Sequence, residues 1–321
     1  MPPPDPPGAP LVLARLKTDD SGSGPRDIAV DASAVYVTDQ DWNSAQDLPT
    51  KIVRIPLDGG APKVLARRQH AGQSIVATAQ ALFWIVAGDP DRNVPASVVK
   101  FSLPNGKLSN VARTFVFSDA ALVADEQNLY FGDIEAEQGR LFRLPVAGRK
   151  PESVSSFGTE NISVLAVDKS NAYWLSLSTI VKAPLKGGPA VELARTSGVG
   201  NVWGMASDGS FLYWTDRNNY TSDEARTGAV RRVDVRGGAV ETVASGLPGR
   251  PWGIAVDDTH LYWVINAEKN GGIMRARKLG GPASVFIAGQ SSPVKLVLDK
   301  DHVYWCNSGD GLVAKASKLS P

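Results

Sequence analysis

The side chains able to do chemistry are few. There are three histidines, His70, His260 and His302, and one cysteine, Cys306. Zinc asks for grouped cysteines or histidines, and no such grouping occurs. A Gly-x-Ser-x-Gly nucleophile elbow and a Gly-x-x-x-x-Gly-Lys phosphate loop are also missing. His70, in Arg67-Arg68-Gln69-His70, falls on an expected loop and is the candidate acid or base if the chain is an enzyme. Cys306 follows Tyr304-Trp305 and reads as a small packed hydrophobe. A hard cation such as calcium or magnesium needs six or more oxygens, and Asp41, Asp133 and Asp216 are its candidate donors. The expectation is therefore no cofactor, or a divalent cation.

Aromatic residues offer a second kind of chemistry. Trp203 and Trp252 occupy one repeat position at which other units carry Arg26, Gln73, Ala120, Ser163 and Val294. Arg250, Arg217, Tyr220 and, further around, Trp42 and Phe157 are expected near them, and Arg26 joins the candidate binding residues. Rigid aromatic faces beside arginines suit a sugar ring, an aromatic ligand or a protein anchor. The competing reading is that both indoles simply plug the opening they sit at.

These residues need a scaffold, and the sequence repeats one. An aspartate followed five residues later by tyrosine recurs at Asp31/Tyr36, Asp125/Tyr130, Asp168/Tyr173, Asp208/Tyr213, Asp257/Tyr262 and Asp299/Tyr304, with Thr78/Phe83 as a degenerate copy. Each unit reads as four short strands, A to D, bounded by Gly, Pro and Asp, with no sustained helical period. The last unit reaches strand C at Leu312 to Ala316 and lacks a strand D. The segment Gly8 to Ala14 matches Gly60 to Ala66, which is a strand D. The N-terminal strand should therefore complete the last blade and remove two open edges. The fold class expected is all-β, a seven-bladed β-propeller over residues 10–321, preceded by a Pro-rich linker at residues 1–9. Strands A would line a central channel. Long, irregular D-to-A and B-to-C connections would gather at one mouth of it, the candidate site.

A cation recurs on strand C: Arg54, Lys100, Arg143, Lys182, Arg232, Arg275 and Lys315. A residue present in every blade should make the same local contact in every blade. The expected partners are acidic or carbonyl groups at the end of strand B, where Asp39, Asp133 and Asp216 stand.

Composition narrows the partners. Of 321 residues, 34 are Lys or Arg and 33 Asp or Glu, a net charge of +1, so no global field draws the chain to nucleic acid. One cysteine excludes an internal disulfide framework. The longest apolar run, Ile75 to Ala87, is too short for a transmembrane helix. The opening Met1 to Pro10 has six prolines and no apolar signal core. It reads either as a natural start or, preferably, as the spacer left when an export signal was trimmed and replaced by Met.

Leu212-Tyr213-Trp214-Thr215-Asp216, Val230-Arg231-Arg232 and Trp252-Gly253-Ile254-Ala255-Val256-Asp257 resemble the YWTD propeller repeats of LDL-receptor-type extracellular modules. Those usually have six blades, against seven units here. The chain is also similar in outline to NHL-type and lyase-type propellers. The resemblance implies the propeller fold. The missing catalytic constellation, the Pro-rich tether and the Trp203/Trp252/Arg250 cluster point to a non-enzymatic recognition or scaffold propeller outside the cytoplasm, periplasmic, secreted or surface-anchored, with a protein, peptide or glycan as partner. It is expected to be monomeric, because a closed ring has no edge that demands a second copy. The alternative is a metal-assisted lyase or hydrolase of the lactonase or streptogramin-lyase type, using His70 and the mouth carboxylates.

Overall fold

Strand B of each repeat is apolar on both faces, so it must be covered from both sides. Tyr36, Tyr130, Tyr173, Tyr213, Tyr262 and Tyr304 are fully buried, as are Trp84, Trp174, Trp214, Trp263 and Trp305. Alternate side chains of a strand point to opposite faces, so in a Tyr-Trp pair one ring enters each neighbouring interface. Sheets of this kind bury themselves only by stacking face to face around an axis.

The computed structural model shows this arrangement. It describes residues 9–16, 24–40, 49–70, 74–88, 96–103, 105–114, 121–135, 138–148, 150–158, 162–199, 201–217 and 228–318. Among them, 28 strands form seven four-stranded antiparallel sheets, with no helix. Blade 1 runs β2 (Gly24–Val30), β3 (Ala34–Gln40), β4 (Pro49–Pro56) and β5 (Lys63–His70). Blades 2 to 6 follow in the same order. Blade 7 combines β26 (Pro293–Leu298), β27 (His302–Asn307) and β28 (Leu312–Ser317) with β1 (Leu11–Arg15). The N-terminal strand closes the last blade as expected, with Leu11 opposite Lys315 and Arg15 opposite Leu312. Arg15 also reaches Asp310 at 2.7 Å. The expected linker lies outside the described residues except for Ala9.

The recurring cation does the same work in six blades, but not the work expected. Its ammonium or guanidinium donates to a backbone carbonyl just beyond strand C of the next blade. Lys100 reaches Val146, Arg143 Leu185, Lys182 Val235, Arg232 Lys278, Arg275 Lys318 and Lys315 Leu57, at 2.6–3.5 Å. A long flexible stem lets the head group cross the interface instead of folding back on its own strand. Arg54 is the departure: it reaches Ser33 Oγ of its own blade at 3.4 Å. The acids at the end of strand B face other cations. Asp216 pairs with Arg231 at 3.0 Å, while Asp39 and Asp133 stand opposite Lys51 and Arg140.

Candidate functional site

Strand A begins at the mouth, and its first residues are where the blades differ. In β2, β18 (Val202–Ser207), β22 (Arg250–Val256) and β26 the pairing with strand B slips at the same place. The slip leaves Arg26, Trp203, Trp252 with Gly253, and Val294 as extra residues. A bulge turns its extra side chain out of the ladder, so four successive blades (5, 6, 7 and 1) each aim one side chain at the axis. Blades 2 to 4 have strands A of only three residues, Ile75–Ala77, Leu122–Ala124 and Leu165–Val167.

These side chains and the residues just after them enclose a cavity of about 390 Å³ on the axis. Its inner circle is the position four residues before each repeat aspartate. Going round, that position reads Asp27, Ser74, Ala121, Val164, Gly204, Gly253 and Lys295, and all seven line the cavity. The wall is thus charged where blades 7 and 1 meet and small or apolar across blades 3 to 6.

On the apolar side Trp203 and Trp252 stack, with ring centroids 4.8 Å apart and planes 18° from parallel. The Arg217 guanidinium lies 4.1 Å from the Trp203 centroid and 5.3 Å from that of Trp252, against both rings. Two glycines make the stack possible. A Cβ on Gly204 would lie 2.5 Å from the Trp252 carbonyl, and one on Gly253 would lie 3.2 Å from Lys295 Cα. The two tryptophans are not equivalent. Trp252 is half-buried and packs against the hydrophobic clusters around Leu13 and Leu296, while Trp203 stays 45% exposed.

On the charged side Asp27 is buried. Its Oδ1 accepts the Ile28 amide and its Oδ2 the Ile75 amide of blade 2, each at 2.9 Å. Lys295 stands 3.9 Å from Oδ1. Burial pushes the Asp27 carboxyl above its ordinary range, opposed by the Lys295 charge and the two amides. Burial lowers Arg26, whose Nε donates to Gln40. Cys306 is buried and burial pushes its thiol up, which makes it an inert packed residue.

The structure therefore brings together Trp203, Trp252, Arg217 and Arg26 of the expected residues. Arg250 opens β22 as an exposed residue and does not line the cavity. Trp42, Tyr220 and Asp41 lie outside the described residues. His70 was expected in a loop, but it ends β5, opposite Pro49 in the outermost strand of blade 1. Strand D continues that far because two bulges, at Thr50/Ile52 and Ile52/Val53, absorb its extra residues. The His70 side chain is outside the described residues. Asp216 is fully buried, taking Arg231 on one oxygen and the Ser197 hydroxyl, at 2.5 Å, on the other. No group of three or more His, Cys, Asp or Glu able to hold a metal occurs among the described residues. Asp27 and Lys295 were missed. Their signal was present as two charges at one repeat position of strand A that is otherwise small or apolar.

No protein family matches the sequence, and no curated protein does. Solved structures do match. A chain of a nidogen/laminin complex is 17% identical with a TM-score of 0.50, over 66% of this chain and 82% of that one. Hydrazine synthase from Kuenenia stuttgartiensis is 13% identical with a TM-score of 0.67, over 96% and 99%. The extracellular domain of the hybrid two component system BT4673 from B. thetaiotaomicron is 10% identical with a TM-score of 0.64, over 96% and 40%. At such identities the likeness is one of fold, the β-propeller.

Proposed function

We propose that this chain is a recognition propeller working outside the cytoplasm, which binds a protein, peptide or glycan at its channel mouth. The observation that carries the reading is the half-exposed Trp203, held over an axial cavity by a bulge and by the close backbone approach at Gly204, where a Cβ would lie 2.5 Å from the Trp252 carbonyl. A plug would bury its aromatic surface, as the strand B tryptophans do. Trp203 instead stays 45% exposed at the wall of a cavity large enough for a ligand. Likeness in fold to the extracellular domain above supports the location.

Glycan and peptide arrays probed with the wild-type chain and with Trp203→Ala test the reading. Binding should appear with the wild type and vanish with the variant, at nearly unchanged melting temperature. Ligands retained by the variant would refute the site.

A further inference from the structure

The recognition reading leaves the ligand's chemistry open, and the charged wall narrows it. Lys295 has a side chain 42% exposed, and among the described residues its charged neighbour is Asp27 at 3.9 Å, beyond hydrogen-bond distance. That carboxylate already accepts two backbone amides, so the Lys295 ammonium keeps its donors for the cavity. Its stem lies on the backbone of Gly253, within van der Waals reach of the space a Cβ would fill. Gly253 directly follows Trp252. A cation and an indole pair are thus held side by side on adjoining blades.

The sign of the ligand's charge follows. An indole face alone would attract a cation. Here Arg217 already rests against both indoles, and a second cation would meet Arg217 and Lys295 together. An anion in the cavity meets Lys295 favourably, while Arg217 keeps a second cation off the indoles. The shape follows from where the polar groups stand. Ser74, whose hydroxyl accepts the Leu122 amide and keeps its proton to donate, and Ser163 line the cavity on blades 2 and 4, two and three blades round the ring from Lys295 on blade 7. Hydrogen-bonding groups spread around a circumference match a ring bearing hydroxyls all round. A peptide ending in an aromatic residue would present its polar atoms at one end only.

Resting on the recognition reading and naming the ligand of that same site, we infer that the mouth binds an acidic sugar of a glycan. The pyranose ring lies against the Trp203–Trp252 pair, and the sugar carboxylate takes Lys295.

Calorimetry with oligogalacturonates and oligoglucuronates, their carboxyl-reduced counterparts, and peptides ending in Trp or Phe tests this. The wild type should bind a uronate about ten-fold or more tightly than its reduced counterpart, the scale of one charge-assisted hydrogen bond. Lys295→Gln should close that gap while keeping the weak binding of the reduced sugar, which also shows that it folds. Lys295→Arg should keep most of the gap. Equal binding of acid and reduced sugar, a gap that survives in Lys295→Gln, or no uronate binding overturns the inference. A terminal aromatic peptide bound in a Trp203-dependent way overturns the sugar and leaves the recognition site standing. Ligands indifferent to Trp203→Ala overturn both.

Discussion

The Tyr173 phenol donates to Asp168 Oδ2 at 2.6 Å, while Oδ1 of the same carboxylate accepts the amides of Ser170 and Asn171. One aspartate thus closes the A–B turn and tethers the strand that packs between blades. The arrangement recurs at Asp31/Tyr36, Asp125/Tyr130, Asp208/Tyr213 and Asp299/Tyr304. Asp257 closes its turn in the same way, but its second oxygen pairs with Lys318 at 3.1 Å.

Those phenols should report on alkaline unfolding. Burial, then the bonded Asp125, pushes Tyr130 up to about 12, and burial with the Asp257 charge pushes Tyr262 up to about 12. Burial and the neighbouring aspartate raise Tyr36, Tyr173, Tyr213 and Tyr304 as well. A phenol with a raised folded pKa stabilises the fold fully below its unfolded value of about 10, and that contribution is lost as pH rises through the folded value. Stability should hold to about pH 10 and fall between about 10 and 12. These six are among seven tyrosines. Ultraviolet titration at about pH 10.5 should therefore show tyrosinate from at most one, with the rest appearing only as the β-sheet circular dichroism is lost. Stepwise ionisation of several phenols in folded protein would contradict this.

The cation ring makes a second prediction. Lys182 donates to the Val235 carbonyl of the next blade at 2.7 Å. Lys182→Met keeps the stem and removes the donor, and should cost about 1–2 kcal/mol in urea unfolding, the scale of a partly exposed charge-assisted hydrogen bond. Arg54→Met, at the blade whose cation makes no such link, should cost less. Equal losses at both positions would show that the crossing bond adds nothing.

The fold was legible because it is written seven times. Fixed spacing from Asp31 to Tyr36 and its counterparts declares a rigid turn and strand, and the match between Gly8–Ala14 and Gly60–Ala66 declares the closure. The site was legible only in part, because it is made of departures from the repeat. Trp203 and Trp252 stood out as large residues at one position. Their stacking depends on bulges and on the backbone approach at Gly204, which depend on long-range register that residue types do not state. Asp27 and Lys295 sit 268 positions apart in the numbering and meet only because the ring closes.

The tryptophan pair should separate into a binding residue and a partly structural one. Trp203 contributes the stack and the Arg217 contact, so Trp203→Ala should lower stability by only about 1 kcal/mol. Trp252 also packs against two blade interfaces, and Trp252→Ala should lower it by about 3 kcal/mol through lost burial and the space left behind. Urea midpoints measured side by side check the order. A larger loss at Trp203 would make it the plug.

Asp27 gives a pH test at the opposite wall. Its carboxylate holds the innermost strands of blades 1 and 2 together through Ile75 and faces Lys295 and the buried Cys306. Burial raises its folded pKa, so folding favours the protonated form over the charged one relative to the unfolded chain. A raised folded pKa gives a contribution that is complete below the ordinary carboxylate value of about 4 and is lost as pH rises above it. Asp27→Asn keeps the shape and has no charge to bury, but it turns an NH2, which cannot accept, toward one of the two amides, where the protonated carboxyl still offers a hydroxyl oxygen. At pH about 4 it should be less stable than the wild type by about 1 kcal/mol. As pH rises toward neutrality that deficit should shrink, because the wild type alone must ionise a buried acid. Unfolding free energies of both proteins across this range decide it. A deficit that grows with pH would mean that Lys295 and the two amides outweigh burial, and that Asp27 is a stabilising anion of the channel wall.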